Sequence, residues 1–285
     1  MTNISGTTKV VGVWGHPVGH SLSPAMHNAA LQELGLNWVY VPFDVDPDEI
    51  NVEFAVSGLR ATSMVGVNVT VPLKELVLPY TVVSEEALQI GSINTIHNKG
   101  GKLYGYSTDG AGFLQSLESA GQNTQGREVY LLGAGGSARA VAWALASRGS
   151  RCRIANRTQA RSEALAAKIN SVYPGRAAAV GWGMGTEPFD LLVNTTSLGM
   201  QPRTGEMPML PPEAFSGKPF VCDLIYVPAQ TRLLAEADSA GCETLSGLGM
   251  LVYQGAISLS IWTGRPLSEM PVAVMEQAVR ASLPG

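Results

Sequence analysis

Three closely spaced glycines, Gly133, Gly135 and Gly136, followed by Ser137 and the small Ala138, stand between two well-defined stretches. Before them runs the apolar Glu128-Val129-Tyr130-Leu131-Leu132, and after them a helical pattern over residues 139–148 closed by Gly149. Residues of these types at this spacing suit one task, the holding of a diphosphate. Gly133 permits a tight turn, Gly135 lets the backbone approach a pyrophosphate, and Ala138 in the third place lets helix and strand pack closely. The backbone N–H groups at the helix start then face the phosphates. A glycine-rich turn serving geometry alone is the rival reading, and the strand-turn-helix context speaks against it.

The second strand of such a unit selects the cofactor. An enzyme using NAD carries an Asp or Glu about 20 residues after the fingerprint, and that carboxylate would repel a 2′-phosphate. Here the strand runs into Asn156-Arg157-Thr158, with Arg161 four residues beyond Arg157 and no carboxylate among them. Two guanidiniums one helical turn apart suit a phosphate clamp, so NADP is the expected cofactor. Exposed arginines with no ligand are the alternative, although cations at a helix N-terminus are unfavourable without an anion.

A second candidate lies near the N-terminus, in Gly15-His16-Pro17-Val18-Gly19-His20-Ser21-Leu22-Ser23-Pro24. Ser23 reads as an N-cap with proline at the first helical position. A helix start carrying the hydroxyls of Ser21 and Ser23 is equally a carboxylate site, and the segment alone does not decide between these. His16, His20 and His27 raise the question of a metal. Pro17 and residues 21–24 break any shared helical face and no acid stands nearby in the sequence, so structural roles and no metal are expected. The cysteines, Cys152, Cys222 and Cys242, form no Cys-x-x-Cys pair and signal neither a disulfide framework nor zinc.

The elements that must position these groups read as α/β. In the first hundred residues, strands at 10–14, 38–45, 64–69 and 93–98 alternate with helices at 24–34 and 48–59 and shorter helical pieces after Pro72 and around Glu85. Lys99-Gly100-Gly101-Lys102 reads as a hairpin turn into a strand at 103–106. After a helix over 110–120 and a polar loop, strands at 128–132, 151–155, 177–180, 190–194, 220–225 and 243–245 alternate with helices, the pattern of a doubly wound parallel sheet. Helices at 249–262 and 268–283 have no strand to accompany and are expected to pack back onto the first domain.

Further polar clusters each follow a strand, where open α/β sheets place ligands. They are Val67-Asn68-Val69-Thr70-Val71-Pro72-Leu73-Lys74, Gly91-Ser92-Ile93-Asn94-Thr95, Ser107-Thr108-Asp109-Gly110, Asn194-Thr195-Thr196-Ser197-Leu198-Gly199-Met200, Asp223-Leu224-Ile225-Tyr226-Val227-Pro228 and Gly247-Leu248-Gly249-Met250-Leu251-Val252-Tyr253-Gln254. Taken in this order, from about residue 10 to residue 264, the set resembles the shikimate dehydrogenase family. The resemblance implies the NADPH-dependent, reversible reduction of 3-dehydroshikimate to shikimate, on the route to chorismate and the aromatic amino acids. It implies an α/β protein of two domains: a substrate-binding, catalytic domain of residues 1–110 completed by helices at 247–285, and a Rossmann-like, doubly wound NADP-binding domain at 111–246.

Carried over by motif, the resemblance makes Lys74 and Asp109 the catalytic pair. It has Ser21 and Ser23 hold the substrate carboxylate, and Thr70, Asn94, Tyr226 and Gln254 bind around the ring. Gly133, Ala134, Gly135, Gly136, Ser137, Asn156, Arg157, Thr158, Arg161, Leu224 and Gly247 would contact NADP, with Glu85 a weaker candidate. Ser107 departs from the family's usual asparagine and bears on the geometry of that loop. Read singly, Lys74 is an ordinary surface lysine, Asp109 a helix N-cap, Tyr226 a space-filler and Gln254 an interior helix residue. Two rivals follow from the same fold: a quinate/shikimate dehydrogenase of broader cofactor use, which the missing second-strand carboxylate opposes, and a metabolite-sensing regulator, which would not need a Lys74–Asp109 pair.

The whole-chain properties fit such an enzyme and exclude other classes. At 285 residues the chain is long enough for two cores. Only 15% of residues are charged, with a net charge of -4 and no single-sign run, which offers nothing to nucleic acid or an anionic membrane. The uncharged stretch 244–264 is broken by four glycines, three serines, Tyr253 and Gln254, and reads as a buried helix rather than a membrane span. The N-terminal nine residues lack a secretory pattern and read as a short disordered lead-in, so a cytoplasmic protein acting on a small molecule is expected. A homodimer is one assembly compatible with the sequence.

Overall fold

The computed structural model describes residues 4–184, 188–211 and 213–283. Of the expected lead-in, residues 1–3 lie outside that description. The rest is ordered rather than loose: Thr8 donates its N–H to Ser5 O at 3.0 Å and its hydroxyl to Asn37 Oδ1 at 2.9 Å, and Lys9 already opens the first strand. The chain divides into two compact units, one of Met1–Gly112 with Leu251–Ser282 and one of Phe113–Met250.

The first unit contains, in order, β1 (Lys9–Gly15), α1 (Ser23–Glu33), β2 (Trp38–Asp44), α2 (Glu49–Ala61), β3 (Gly66–Val69), β4 (Val82–Val83), α3 (Glu85–Ile90), β5 (Thr95–Lys99) and β6 (Lys102–Tyr106). Its sheet runs β2-β1-β3-β5-β6-β4, with β1 parallel to β2 and β3, and β5 antiparallel to β3 and β6. Lys99 and Lys102 pair across the hairpin, and Gly100 and Gly101 take the positive φ values, 62° and 87°, that a tight two-residue turn requires. No α-helix forms directly after Pro72: turns anchored by Leu73 N–H to Thr70 O and Val77 N–H to Leu73 O lead to a single 3-10 turn, Leu78–Tyr80.

The second unit begins within α4 (Asp109–Ser119) and continues through β7 (Glu128–Leu132), α5 (Gly136–Ser147), β8 (Arg151–Ala155), α6 (Gln159–Asn170), β9 (Ala177–Val180), β10 (Leu191–Asn194), β11 (Phe220–Asp223), α7 (Arg232–Ser239) and β12 (Thr244–Ser246). Its six strands are all parallel, in the order β12-β11-β10-β7-β8-β9. Parallel strands covered on both faces must be apolar throughout, and Val129, Tyr130, Leu131 and Leu132 are all 0% exposed. The expected alternation with helices fails at two crossovers, since among the described residues none forms between β9 and β10 or between β10 and β11. The second of these carries Pro202, Pro208 and Pro211, which lack the N–H a helix needs.

The chain returns to the first unit along α8 (Leu248–Thr263) and ends in α9 (Val272–Ala281), which packs along α1. Pro271 separates α9 from a 3-10 turn, Leu267–Glu269, so the single helix expected over 268–283 is two pieces. Among the described residues no helix is long and apolar enough to cross a membrane.

The core of the first unit holds an unusual group. The fully buried His27 stacks on Tyr40 with ring centroids 4.3 Å apart, and Trp262 lies 5.6 Å from the same imidazole. Burial lowers the His27 pKa from 6.5 to about 3, so the native ring is neutral. A depressed histidine contributes stability that is complete above pH 6.5 and is lost as pH falls toward 3, by several kcal/mol at most. His27→Phe, which keeps the stack and removes the titration, is expected to flatten the fall of Tm between pH 6.5 and 3. An unchanged slope in thermal unfolding across that range would refute the assignment.

Candidate functional site

In the first unit, the carboxyl ends of the adjacent parallel strands β1 and β3 bring two predicted clusters to one end of the sheet. The loop with Ser21 and Ser23 leaves β1, and Thr70 leaves β3 with its N–H on Trp14 O at 2.8 Å. At the same end β5 begins, so Asn94 lies beside them, held by Asn94 N–H to Tyr106 O at 3.0 Å and Val69 N–H to Asn94 O at 2.8 Å. Lys74 enters through the turn after Thr70, and its carbonyl accepts the Ile93 N–H at 3.0 Å.

These contacts converge on a salt bridge between residues 35 apart in sequence. Lys74 Nζ donates to Asp109 Oδ2 at 2.5 Å, with the two side chains only 12% and 7% exposed. Lys74 is therefore no ordinary surface lysine. Nor does Asp109 serve as an N-cap: it is the first residue of α4, and its other oxygen accepts Asn94 Nδ2 at 2.9 Å. A paired ammonium and carboxylate in a water-poor setting is the arrangement needed to hold and pass a proton.

Asn94 is the hub. Its Nδ2 also reaches Thr108 Oγ1 at 2.8 Å and Gln254 Oε1 at 3.1 Å, and its Oδ1 accepts the Thr108 N–H at 2.7 Å. Two hydrogens facing three acceptors leave one acceptor open at any moment. Gln254 donates Nε2 to Leu251 O at 2.7 Å, and α8 approaches α4 so closely that a Cβ on Gly112 would lie 2.6 Å from Gln254 N. The loop that carries Ser107 is held by the two Thr108–Asn94 bonds.

Four residues without an assigned role complete the network. Thr108 donates to Gln254 O at 3.2 Å, while Ser258, one helical turn after Gln254, meets Thr95 Oγ1 at 2.7 Å and accepts from Asn68 at 2.9 Å. Thr108 and Asn68 stand inside motifs that the sequence singled out. Ser258 had no signal beyond its spacing from Gln254.

The start of α1 corrects one expectation. Ser23 is the first helical residue, not the cap; Leu22 occupies the cap position without a side-chain bond, and Ser21 Oγ accepts the Ser23 N–H at 3.3 Å. The helix start therefore depends on Ser21. His16 does have an acidic partner, Asp44 at 2.8 Å from Nδ1, which reaches it from the end of β2, 28 residues away in sequence. Among the described residues no three His, Cys, Asp or Glu side chains group as a metal would need.

The second unit holds the remaining candidates except Glu85, which is an exposed first-turn acid of α3, behind the Ser84 cap, in the first unit. At the end of β7, Gly133 takes φ 109°, and a Cβ there would collide with Thr195 Oγ1, so glycine is required by the protein itself. Gly135 differs. It has an ordinary extended backbone at φ -86° and ψ -171°, and a Cβ would meet nothing within 4 Å. The protein gives no reason for glycine at this position, whereas a diphosphate lying against the start of α5 gives one. Ala134 is buried in the turn, Gly136 and Ser137 open α5, and no side chain caps that helix.

Beside this turn, β8 ends at Ala155, and Asn156 folds its Nδ2 onto Thr158 O at 2.9 Å. Thr158 starts α6 with no side-chain cap and no acid in the first turn. Arg157 and Arg161 are exposed, and among the described residues neither guanidinium has an ion pair or hydrogen bond. Two uncompensated cations at a helix N-terminus suit a dianionic 2′-phosphate. Arg157→Ala is expected to raise KM for NADP by about 30-fold and KM for NAD less than threefold. Equal effects on the two cofactors in steady-state kinetics would remove the clamp.

Leu224 and Tyr226 lie on the loop after β11, and burial raises the Tyr226 phenol pKa. Gly247 donates its N–H to Ile225 O at 3.1 Å, and a Cβ on Gly247 would collide with the Leu224 carbonyl. The three cysteines are free and buried.

Three family descriptions match the chain: the shikimate dehydrogenase substrate-binding domain over residues 13–96, shikimate/quinate 5-dehydrogenase over 115–177, and the shikimate 5′-dehydrogenase C-terminal domain over 247–280. The shikimate dehydrogenase (NADP+) of Moorella thermoacetica is 47% identical, over 99% of this chain and 96% of that protein. A crystal structure of a shikimate dehydrogenase with NADP+ superposes with a TM-score of 0.92 at 40% identity, covering 100% of this chain and 99% of the other. The Thermus thermophilus enzyme, crystallised with NADP(H) and shikimate, gives 0.87 at 38% identity over 96% of this chain and 100% of that one.

Proposed function

The chain belongs to the shikimate dehydrogenase family, and from that membership and its own geometry we propose how it carries out the NADPH-dependent, reversible reduction of 3-dehydroshikimate to shikimate. The observation that carries the mechanism is the buried Lys74–Asp109 pair at the end of the sheet where Ser21, Thr70 and Asn94 gather. In the second unit the turn from Gly133 to Ser137 would hold the diphosphate of NADP, and Arg157 and Arg161 its 2′-phosphate. The first unit binds the substrate.

When bound, NADPH would supply a hydride to the C3 carbonyl carbon. As negative charge grows on the carbonyl oxygen, the Lys74 ammonium stabilises it and delivers the proton, so that hydride and proton together complete the alcohol. In the reverse direction the Lys74 amine receives that proton. Asp109 holds Lys74 by Oδ2 and is itself held by Asn94, which fixes the position of the ammonium. Asn94 and Gln254 exchange an internal bond for one to a substrate hydroxyl, a low-cost swap because Asn94 Nδ2 already serves three acceptors. Ser21 and Ser23 bind the substrate carboxylate at the start of α1. The unpaired arginines support NADP over NAD, and the buried free thiols fit a reducing, cytoplasmic setting.

The test is to incubate the purified chain with NADPH and 3-dehydroshikimate and identify the product. Stoichiometric shikimate is expected. With quinate and shikimate offered as competing substrates for oxidation, shikimate is expected to win by at least tenfold in kcat/KM; parity would transfer the chain to the broader quinate/shikimate class.

A further inference from the structure

A carboxylate outside the catalytic pair is buried at the ends of β10 and β11. Asp223 is 1% exposed, and all of its partners are neutral donors: Asn194 Nδ2 at 3.0 Å and Ile225 N–H at 3.1 Å on Oδ1, and the Thr231 hydroxyl at 2.7 Å on Oδ2. Asn194, itself 0% exposed, passes the restraint on, its Oδ1 accepting the N–H of Thr196 at 2.9 Å and its hydroxyl at 2.8 Å. Thr196 Oγ1 then accepts the Leu198 N–H at 3.2 Å. One carboxylate thus ties together the loop after β10, residues 195–199, and the loop after β11, residues 224–231. Thr195 adds a link to the end of β7 through its hydroxyl on Leu132 O at 2.6 Å, one residue before Gly133.

An ionisable group in this position is costly, and an apolar core would be more stable without it. Burial pushes the Asp223 pKa up to about 6, against the three hydrogen bonds that pull it down. The Cys222 thiol precedes it on its own strand, its pKa raised by burial and by this carboxylate, and the Tyr226 phenol, raised by burial, follows three residues later on the next loop. Arg232, at the start of α7, turns instead to Glu236 at 2.7 Å. β10 and β12 end in the uncharged Asn194 and Ser246.

The location gives the group a purpose. In the sheet order β11-β10-β7-β8, the diphosphate turn follows β7 and the arginines follow β8, so the nicotinamide half of a bound dinucleotide falls over β10 and β11. We propose that Asp223 is a positioning residue for the cofactor, its ionised carboxylate holding loops 195–199 and 224–231 at the separation that receives the nicotinamide end. This rests on the NADP reading above. It assigns no contact between Asp223 and the cofactor.

The test uses the full-length chain and NADPH affinity, read by nicotinamide fluorescence from pH 5 to 8.5. The 2′-phosphate titrates near pH 6 in every variant, so the informative quantity is the ratio of Kd values, variant to wild type, at each pH. Asp223→Asn is expected to bind about tenfold more weakly at pH 8, where an amide cannot accept at both ends, and within about twofold near pH 5, where wild-type Asp223 is protonated. Thr231→Val, which removes a bond favouring the ionised form, is expected to raise the midpoint of the Asp223-dependent affinity loss by about half a pH unit, seen as a Kd ratio to wild type that is largest between about pH 6 and 7 and falls toward pH 5. A Kd ratio for Asp223→Asn that stays constant with pH overturns the proposal. Should Asp223→Asn fail to fold, a Thr231→Val Kd ratio that does not vary with pH overturns it on its own. Wild-type protein that does not bind NADPH at any pH removes the cofactor reading, and this proposal with it.

Discussion

Lys74→Ala is expected to lower kcat for shikimate oxidation by about 10²- to 10⁴-fold while KM for shikimate changes by less than about threefold. The split follows from what the ammonium does. It is the only group assigned to move a proton at the reacting oxygen, and its interaction grows as charge develops there, so its loss falls on the transition state more than on substrate binding. The substitution also leaves the Asp109 carboxylate buried with Asn94 and without its cation. Breaking a buried pair in this way costs about 3 kcal/mol of stability, so kinetics belong at a temperature where circular dichroism reports the variant folded. Turnover within fivefold of the wild type would exclude Lys74 from proton transfer.

Asp109→Asn is expected to lower kcat by about 10²-fold and to raise KM for shikimate several-fold as well. Its near-identical shape makes the argument electrostatic. The carboxylate offers one oxygen to Lys74 and the other to Asn94, and both partners are donors. An amide has one acceptor and one donor end, so whichever way it turns, an N–H faces an N–H. Lys74 loses its anchor or Asn94 loses its place, and because Asn94 also sets Thr108 and meets Gln254, the disturbance reaches the substrate side. A rise in KM with kcat intact would make Asp109 a binding residue only.

Legibility in the sequence tracked the range of the interaction. The β7-turn-α5 unit was readable from the sequence, because its strand, turn and helix are contiguous and the positive φ of Gly133 is local to the turn. The same holds for the Gly100-Gly101 hairpin. The Lys74–Asp109 pair was not readable from spacing, since the two side chains meet across 35 residues through a turn and a helix start that have no periodicity linking them; only the resemblance to a family named them together. His16 and Asp44 failed for the same reason, meeting across 28 residues as neighbouring strands aligned.

Local rules also misplaced Ser23, where the serine two positions earlier takes the capping proton, and the crossover from β10 to β11, where prolines hold a loop in place of a helix. Asp223 had a visible position in its motif but no visible purpose. Its burial and its ties to two loops exist only once β10 and β11 lie side by side.

The most direct measurement is the initial rate of shikimate oxidation with NADP and with NAD in parallel, followed by the absorbance of the reduced nicotinamide. The account predicts clear turnover, with kcat/KM for NADP at least about 50-fold above that for NAD, because Arg157 and Arg161 meet a phosphate in one cofactor and nothing in the other. Equal efficiency with the two cofactors, or no turnover with either, would contradict it.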